Sequence, residues 1–133
     1  MEERRDPVRR LAGAIIALAC AGNAAACELP PGVRLESERL ALTFWTIPAK
    51  IAVGQPFVLE LAACPKTGVP IPERVKFDAH MPEHRHGMNY RTKVVPMGSG
   101  RFHSEGWLFH MPGRWEFRFD LGAEHLTHSM RIE

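Results

Sequence analysis

From Leu40 onward the chain alternates apolar and polar residues with a period of two, the spacing that turns one face of an extended strand toward a core. Leu40, Leu42 and Phe44 share a face, Ala41, Thr43 and Trp45 take the other, and Pro48 ends the run. Phe57, Leu59 and Leu61 repeat the pattern between Gly54-Gln55-Pro56 and Pro65-Lys66-Thr67-Gly68, residues that favour turns. Val75, Phe77 and Ala79, set against Lys76, Asp78 and His80, predict a third strand. Val94 and Val95 start a short fourth, and Met97-Gly98-Ser99-Gly100 reads as a hairpin connection because its glycines accept unusual dihedrals. Residues 101–110 and 114–121 are expected to pair around a turn at Met111-Pro112-Gly113, with Trp115, Phe117, Phe119 and Leu121 on one face. Leu126, His128, Met130 and Ile132 supply the last alternation, while Pro30-Pro31-Gly32 and the polar stretch 34–39 read as a lead-in. About seven strands at intervals of roughly 8–12 residues, with no helical periodicity between them, predict an all-β fold. The expected architecture is an immunoglobulin-like antiparallel β-sandwich.

The amino terminus follows different rules. Arg4, Arg5, Arg9 and Arg10 precede an apolar, small-residue run that ends in Ala24-Ala25-Ala26, the make-up of a secretory signal peptide with its cleavage site. That run is shorter than the roughly 20 residues a membrane-spanning helix needs. The expectation is a cleaved signal peptide over residues 1–26, a single domain over 27–133, and a periplasmic location with no transmembrane helix in the mature chain. Four arginines leave with the signal, so the mature domain is close to neutral and a nucleic-acid partner has little electrostatic support. Cys27 and Cys64 remain. An even pair in an oxidising compartment suggests a disulfide; the alternative is a lipid anchor on Cys27, which would forbid that pairing.

Chemistry concentrates in His80-Met81-Pro82-Glu83-His84-Arg85-His86-Gly87-Met88, where three imidazoles and two thioethers fall within nine residues. Imidazole nitrogen with thioether sulfur suits copper, Cu(I) above all, whereas hard cations call for carboxylates and carbonyls. His84 and His86 alternate, and Gly87 allows the backbone to bring Met88 back toward them. A second His-Met-Pro, at His110-Met111-Pro112, ends another expected strand. If both strand ends share a pole of the sandwich, His110 and Met111 complete a site.

Each residue also has a plainer role. His84, His86 and Met88 lead as ligands, against a polar loop whose Met88 packs on the core. His80 is a candidate ligand or a surface histidine, and Met81 continues the apolar face of Val75 and Phe77, which favours packing. Met97, His103, His125 and His128 lie away from the cluster in sequence, and Trp45, Trp107 and Trp115 read as core or rim aromatics, with Trp107 weighed as a neighbour of the metal. A zinc site from His80, His84 and His86 with Glu83 as base leaves the methionines without a role. Neither a Gly-x-Ser-x-Gly turn nor a phosphate loop occurs, so a non-enzymatic function is expected.

Met81-Pro82, His86-Gly87-Met88, Gly100-Arg101-Phe102 and Met111-Pro112-Gly113-Arg114-Trp115-Glu116-Phe117 together resemble the YtkA-like family. Its members are small exported or membrane-tethered immunoglobulin-like domains, similar in appearance to the accessory protein FixH. The resemblance covers roughly residues 40–121 and implies a link to copper handling, with a copper-containing enzyme or another copper-handling protein as partner. Glu83-His84-Arg85 is more charged than the loops that family often shows. The function expected is copper binding or delivery; the alternative is a protein-interaction module or assembly accessory factor that uses the same loop without metal.

Overall fold

The computed structural model describes residues 27–66 and 68–133, so the expected signal peptide over residues 1–26 lies outside the described residues. The strands are β1 (Val33–Glu36), β2 (Leu40–Ile47), β3 (Pro56–Pro65), β4 (Val75–Met81), β5 (His86–Gly87), β6 (Lys93–Gly98), β7 (Arg101–Leu108), β8 (Gly113–Leu121) and β9 (Glu124–Ile132). They form two antiparallel sheets, ordered β1-β2-β3-β7-β6 and β5-β4-β8-β9. With β2 taken as the first strand, β2-β3-β7-β6 and β4-β8-β9 reproduce the ABED and CFG orders of an immunoglobulin constant-type sandwich. The all-β sandwich expected from the alternation is therefore present.

Three details of the expected layout change. Residues 101–110 and 114–121 do not pair with each other: β7 bonds to β3 and β6, and β8 bonds to β4 and β9. Both strands bury their apolar faces in the same core, so they stack from opposite sheets, and the chain crosses the end of the sandwich between Leu108 and Gly113. The lead-in contributes β1, whose Val33 and Leu35 pair with Phe44 and Leu42 at a sheet edge. The His/Met loop contributes the two-residue strand β5. The hairpin between β6 and β7 is as expected, with Gly98, Ser99 and Gly100 all at positive φ.

Aromatic rings fill the space between the sheets. Phe44 packs on Phe117 and Phe119 at centroid distances of 5.2 and 4.8 Å, and Trp107 meets Phe117 at 5.5 Å. Such pairs add about 0.5–1.5 kcal/mol each beyond the area they bury. Trp107, fully buried, donates its indole N–H to Ser104 Oγ at 2.9 Å, which satisfies the one polar atom it takes into the core.

Cys27 and Cys64 form a disulfide with Cα atoms 5.8 Å apart, tying the lead-in to the end of β3. For a separation of 37 residues, the loop-entropy model puts its contribution at about 4 kcal/mol. The bond uses the thiol that a lipid anchor on Cys27 would require. Among the described residues, no helix is long and apolar enough to cross a membrane.

Candidate functional site

The His/Met loop is a hairpin. Met81 pairs with His86, so Pro82-Glu83-His84-Arg85 form the connection. Proline is favoured early in a β-turn, and the His84 amide donates to the Met81 carbonyl at 3.2 Å to close one. Arg85 then takes a left-handed conformation, φ 53°, to return the chain to the sheet. Arg114 Nε donates to Glu83 Oε1 at 3.1 Å and fixes the loop tip to the start of β8. Directly opposed residues in an antiparallel pair share a face, so His86 stands on the inward side with Met81.

The crossing from β7 to β8 reaches the same pole. The Gly54 amide donates to the Phe109 carbonyl at 2.8 Å, and Trp115 Nε1 donates to the Met111 carbonyl at 3.0 Å. Gly113 adopts φ 132°, a conformation that side-chain-bearing residues rarely take, and a Cβ there would meet the flexible end of Met81, Cε, at 2.5 Å, so the crossing lies close over the core. His110 is thereby brought to His86. The ring centroids of His84 and His86 lie 5.8 Å apart and those of His86 and His110 5.3 Å, a row of three imidazoles with His86 at its centre. Trp115 presents itself edge-to-face to His86 and His110 at 6.2 and 5.5 Å, and Phe109 stacks on Trp115 at 4.4 Å.

Hydrogen bonding leaves ligand capacity in this row. His86 Nδ1 lies 3.1 Å from the Gly87 carbonyl oxygen. A carbonyl only accepts, so Nδ1 carries the proton, and Nε2 is the nitrogen available to a metal. Backbone bonds of this kind orient metal-binding imidazoles. His110 Nδ1 is buried and has no partner among the described residues, an exception to the rule that buried polar atoms are paired.

The other residues singled out from the sequence divide between core and surface. His80 projects from the outer face of β4, away from the imidazole row, with Nε2 3.7 Å from Glu116 Oε1. Met81 is fully buried and belongs to the core, while Met88 and Met111 pack half-buried against its rim. His103 is bonded to Glu60 and Glu105 on the outer face of the first sheet, and His125 to Asp120 at 2.6 Å. His128 packs on Phe44, and Met97 is exposed. Trp115, not Trp107, is the indole beside the imidazoles. Its sequence signal is its place as the first inward-facing apolar residue after His110-Met111-Pro112-Gly113. Among the described residues, no group of three or more His, Cys, Asp or Glu side chains is disposed to hold a metal ion, so a metal here depends on few imidazoles and on thioethers.

No family model matches the chain, and no curated protein matches it. A solved structure of a DUF4426 family protein from Pseudomonas aeruginosa is similar at 13% identity with a TM-score of 0.47, over 76% of this chain and 94% of that one.

Proposed function

We propose that the protein is an exported, periplasmic copper-binding protein that holds or delivers copper, Cu(I) in preference. His86 and His110 are its principal ligands, and His84 adjoins His86 at a ring-centroid distance of 5.8 Å. Met88 and Met111 stand ready to complete the set from the rim of the core. The observation that carries this reading is the approach of His86 and His110 to 5.3 Å from separate connections, with His110 Nδ1 buried and unpartnered. Soft sulfur and borderline nitrogen together favour Cu(I). Zinc fits less well: it takes four donors in a closed site, His80 points to the other side of the sheet, and Glu83 is engaged by Arg114. Copper is cargo in this reading and the protein is not an enzyme. The YtkA-like resemblance points the same way and implies a copper-containing enzyme or another copper-handling protein as donor or acceptor. The disulfide fits an oxidising compartment.

The test is Cu(I) titration of the disulfide-bonded protein against a chelating competitor. Wild type should outcompete the His86→Ala/His110→Ala variant by roughly a hundredfold or more, because even outer-shell losses cost 10–100-fold in metal affinity. Equal, weak binding by both proteins would remove the proposal.

A further inference from the structure

A second feature lies on the outer side of the same hairpin. One cavity of about 440 Å³ is lined by Lys76, Asp78, Gly87, Tyr90 and Arg91 among others. A neighbouring one of about 490 Å³ is lined by Asp78, His80, Arg85, Gly87 and Arg118 among others. They share Asp78 and Gly87 and so adjoin along the sheet edge that β5 closes, a shallow groove in two parts. Gly87 pairs with His80 on this face, and a Cβ there would touch only the Ala79 carbonyl oxygen, at 3.4 Å. Gly87 therefore places no side chain between the two parts.

Cations outnumber carboxylates in the lining. Lys76, Arg85, Arg91 and Arg118 are exposed, and among the described residues none of the four makes an ion pair. Asp78 is the lone carboxylate that lines either cavity, and its Oδ1 already accepts the Ala79 amide at 2.8 Å. His80 Nδ1 is buried and has no partner among the described residues, and its Nε2 faces Glu116 Oε1 at 3.7 Å. Tyr90 is 61% exposed at the groove's end, a residue type enriched where proteins meet.

We propose that this groove is a docking site for an extended, acidic segment of a partner protein. Four cations without an ion-pair partner among the described residues are complementary to spaced carboxylates, and two adjoining depressions with a glycine between them fit an extended chain better than a compact ligand. A protein is favoured over a nucleic acid because Asp78 lines both parts of the groove, where it repels a continuous run of phosphates but can be passed over by spaced carboxylates, and the chain's formal net charge is only +2. His86 lines the groove from one side and the imidazole row from the other, so a partner held here lies against the proposed copper site. The docking itself does not rest on the copper reading.

The probe is a short, fluorescently labelled oligo-glutamate peptide, titrated into the metal-free, disulfide-bonded protein, with an oligo-glutamine peptide and a single-stranded oligonucleotide as comparators. The glutamate peptide should bind, weaken as salt is raised, and lose about tenfold or more in affinity on Arg85→Glu/Arg91→Glu. Gly87→Leu, which leaves every charge in place and fills the junction, should weaken it as well. The proposal is overturned if the glutamate and glutamine peptides bind alike, if both variants bind as wild type does, or if the oligonucleotide binds more tightly than the peptide. Circular dichroism of the variants keeps unfolding from passing as loss of docking. Copper affinity measured on the same variants separates failure here from failure of the metal site.

Discussion

Two histidine groups in this sandwich are built in opposite ways. His103, half-buried on the outer face of β7, is clamped by two carboxylates: Nδ1 bonds to Glu60, its register partner on β3, and Nε2 to Glu105 at 3.2 Å. The bond from Glu60 and then that from Glu105 hold its pKa above the usual 6.5, against a smaller opposing effect of desolvation. The row of His84, His86 and His110 has no carboxylate at its ring nitrogens among the described residues. It is backed by Trp115 and Phe109, and it keeps a buried nitrogen unpaired. A histidine that serves the fold is satisfied by the fold. One left unsatisfied over an aromatic floor costs stability that a ligand can restore.

The largest test of that contrast removes the floor. Trp115 is fully buried, stacks on Phe109 and holds the Met111 carbonyl. Trp115→Ala should cost about 3–5 kcal/mol, a fall in melting temperature on the order of 15 °C for a domain of this size, and it should weaken Cu(I) binding. Trp115→Phe keeps the stacking and loses one hydrogen bond, so a loss of about 1 kcal/mol is expected. Thermal unfolding and competitive titration on both variants provide the check. Undiminished copper affinity in Trp115→Ala would show that the imidazole row does not depend on its floor.

A smaller effect of opposite sign sharpens the same comparison. His110→Leu removes the buried unpaired nitrogen and keeps an apolar body against Trp115. In the metal-free protein it should therefore be neutral or stabilising, by up to about 1 kcal/mol, while copper binding falls. His103→Leu strands Glu60 without its partner and should destabilise. If His110→Leu is the more damaging of the two, then His110 serves the fold and the contrast collapses.

The residues themselves show why some of this was legible beforehand. Period-two alternation marked the strands because each inward face is an unbroken set, such as Phe77, Ala79 and Met81 or Trp115, Phe117 and Phe119. β1 escaped because only Val33 and Leu35 alternate, among prolines and charges at a sheet edge, and β5 because two residues carry no period. The partition of β7 and β8 between sheets was hidden, since a strand's own pattern says which face is buried and not which strand lies beside it. Parity put His80 on the face opposite Phe77, whereas the return of His86 to the inner face depends on the loop holding four residues. The approach of His110 to His86 is a property of the crossing path, which neither loop encodes alone.

The smallest expected effect is the pH dependence of the clamped histidine. Because the folded pKa of His103 is raised, the folded state holds the proton more tightly than the unfolded chain does. The stabilisation is fully present below about pH 6.5 and is lost as the pH rises through the raised value. Partial exposure of His103 and Glu60, with side chains 29% and 25% accessible, keeps the effect modest. Denaturant unfolding of wild type and His103→Gln from about pH 5 to about pH 9, the range in which histidines change charge, should show wild type favoured at the acid end, with the advantage shrinking toward the alkaline end. Glu60→Gln should flatten the difference, because it removes the larger of the two bonds that raise the pKa. Parallel curves for wild type and His103→Gln would mean that the carboxylates do not grip the imidazolium, and the two histidine groups would then differ in position and not in kind.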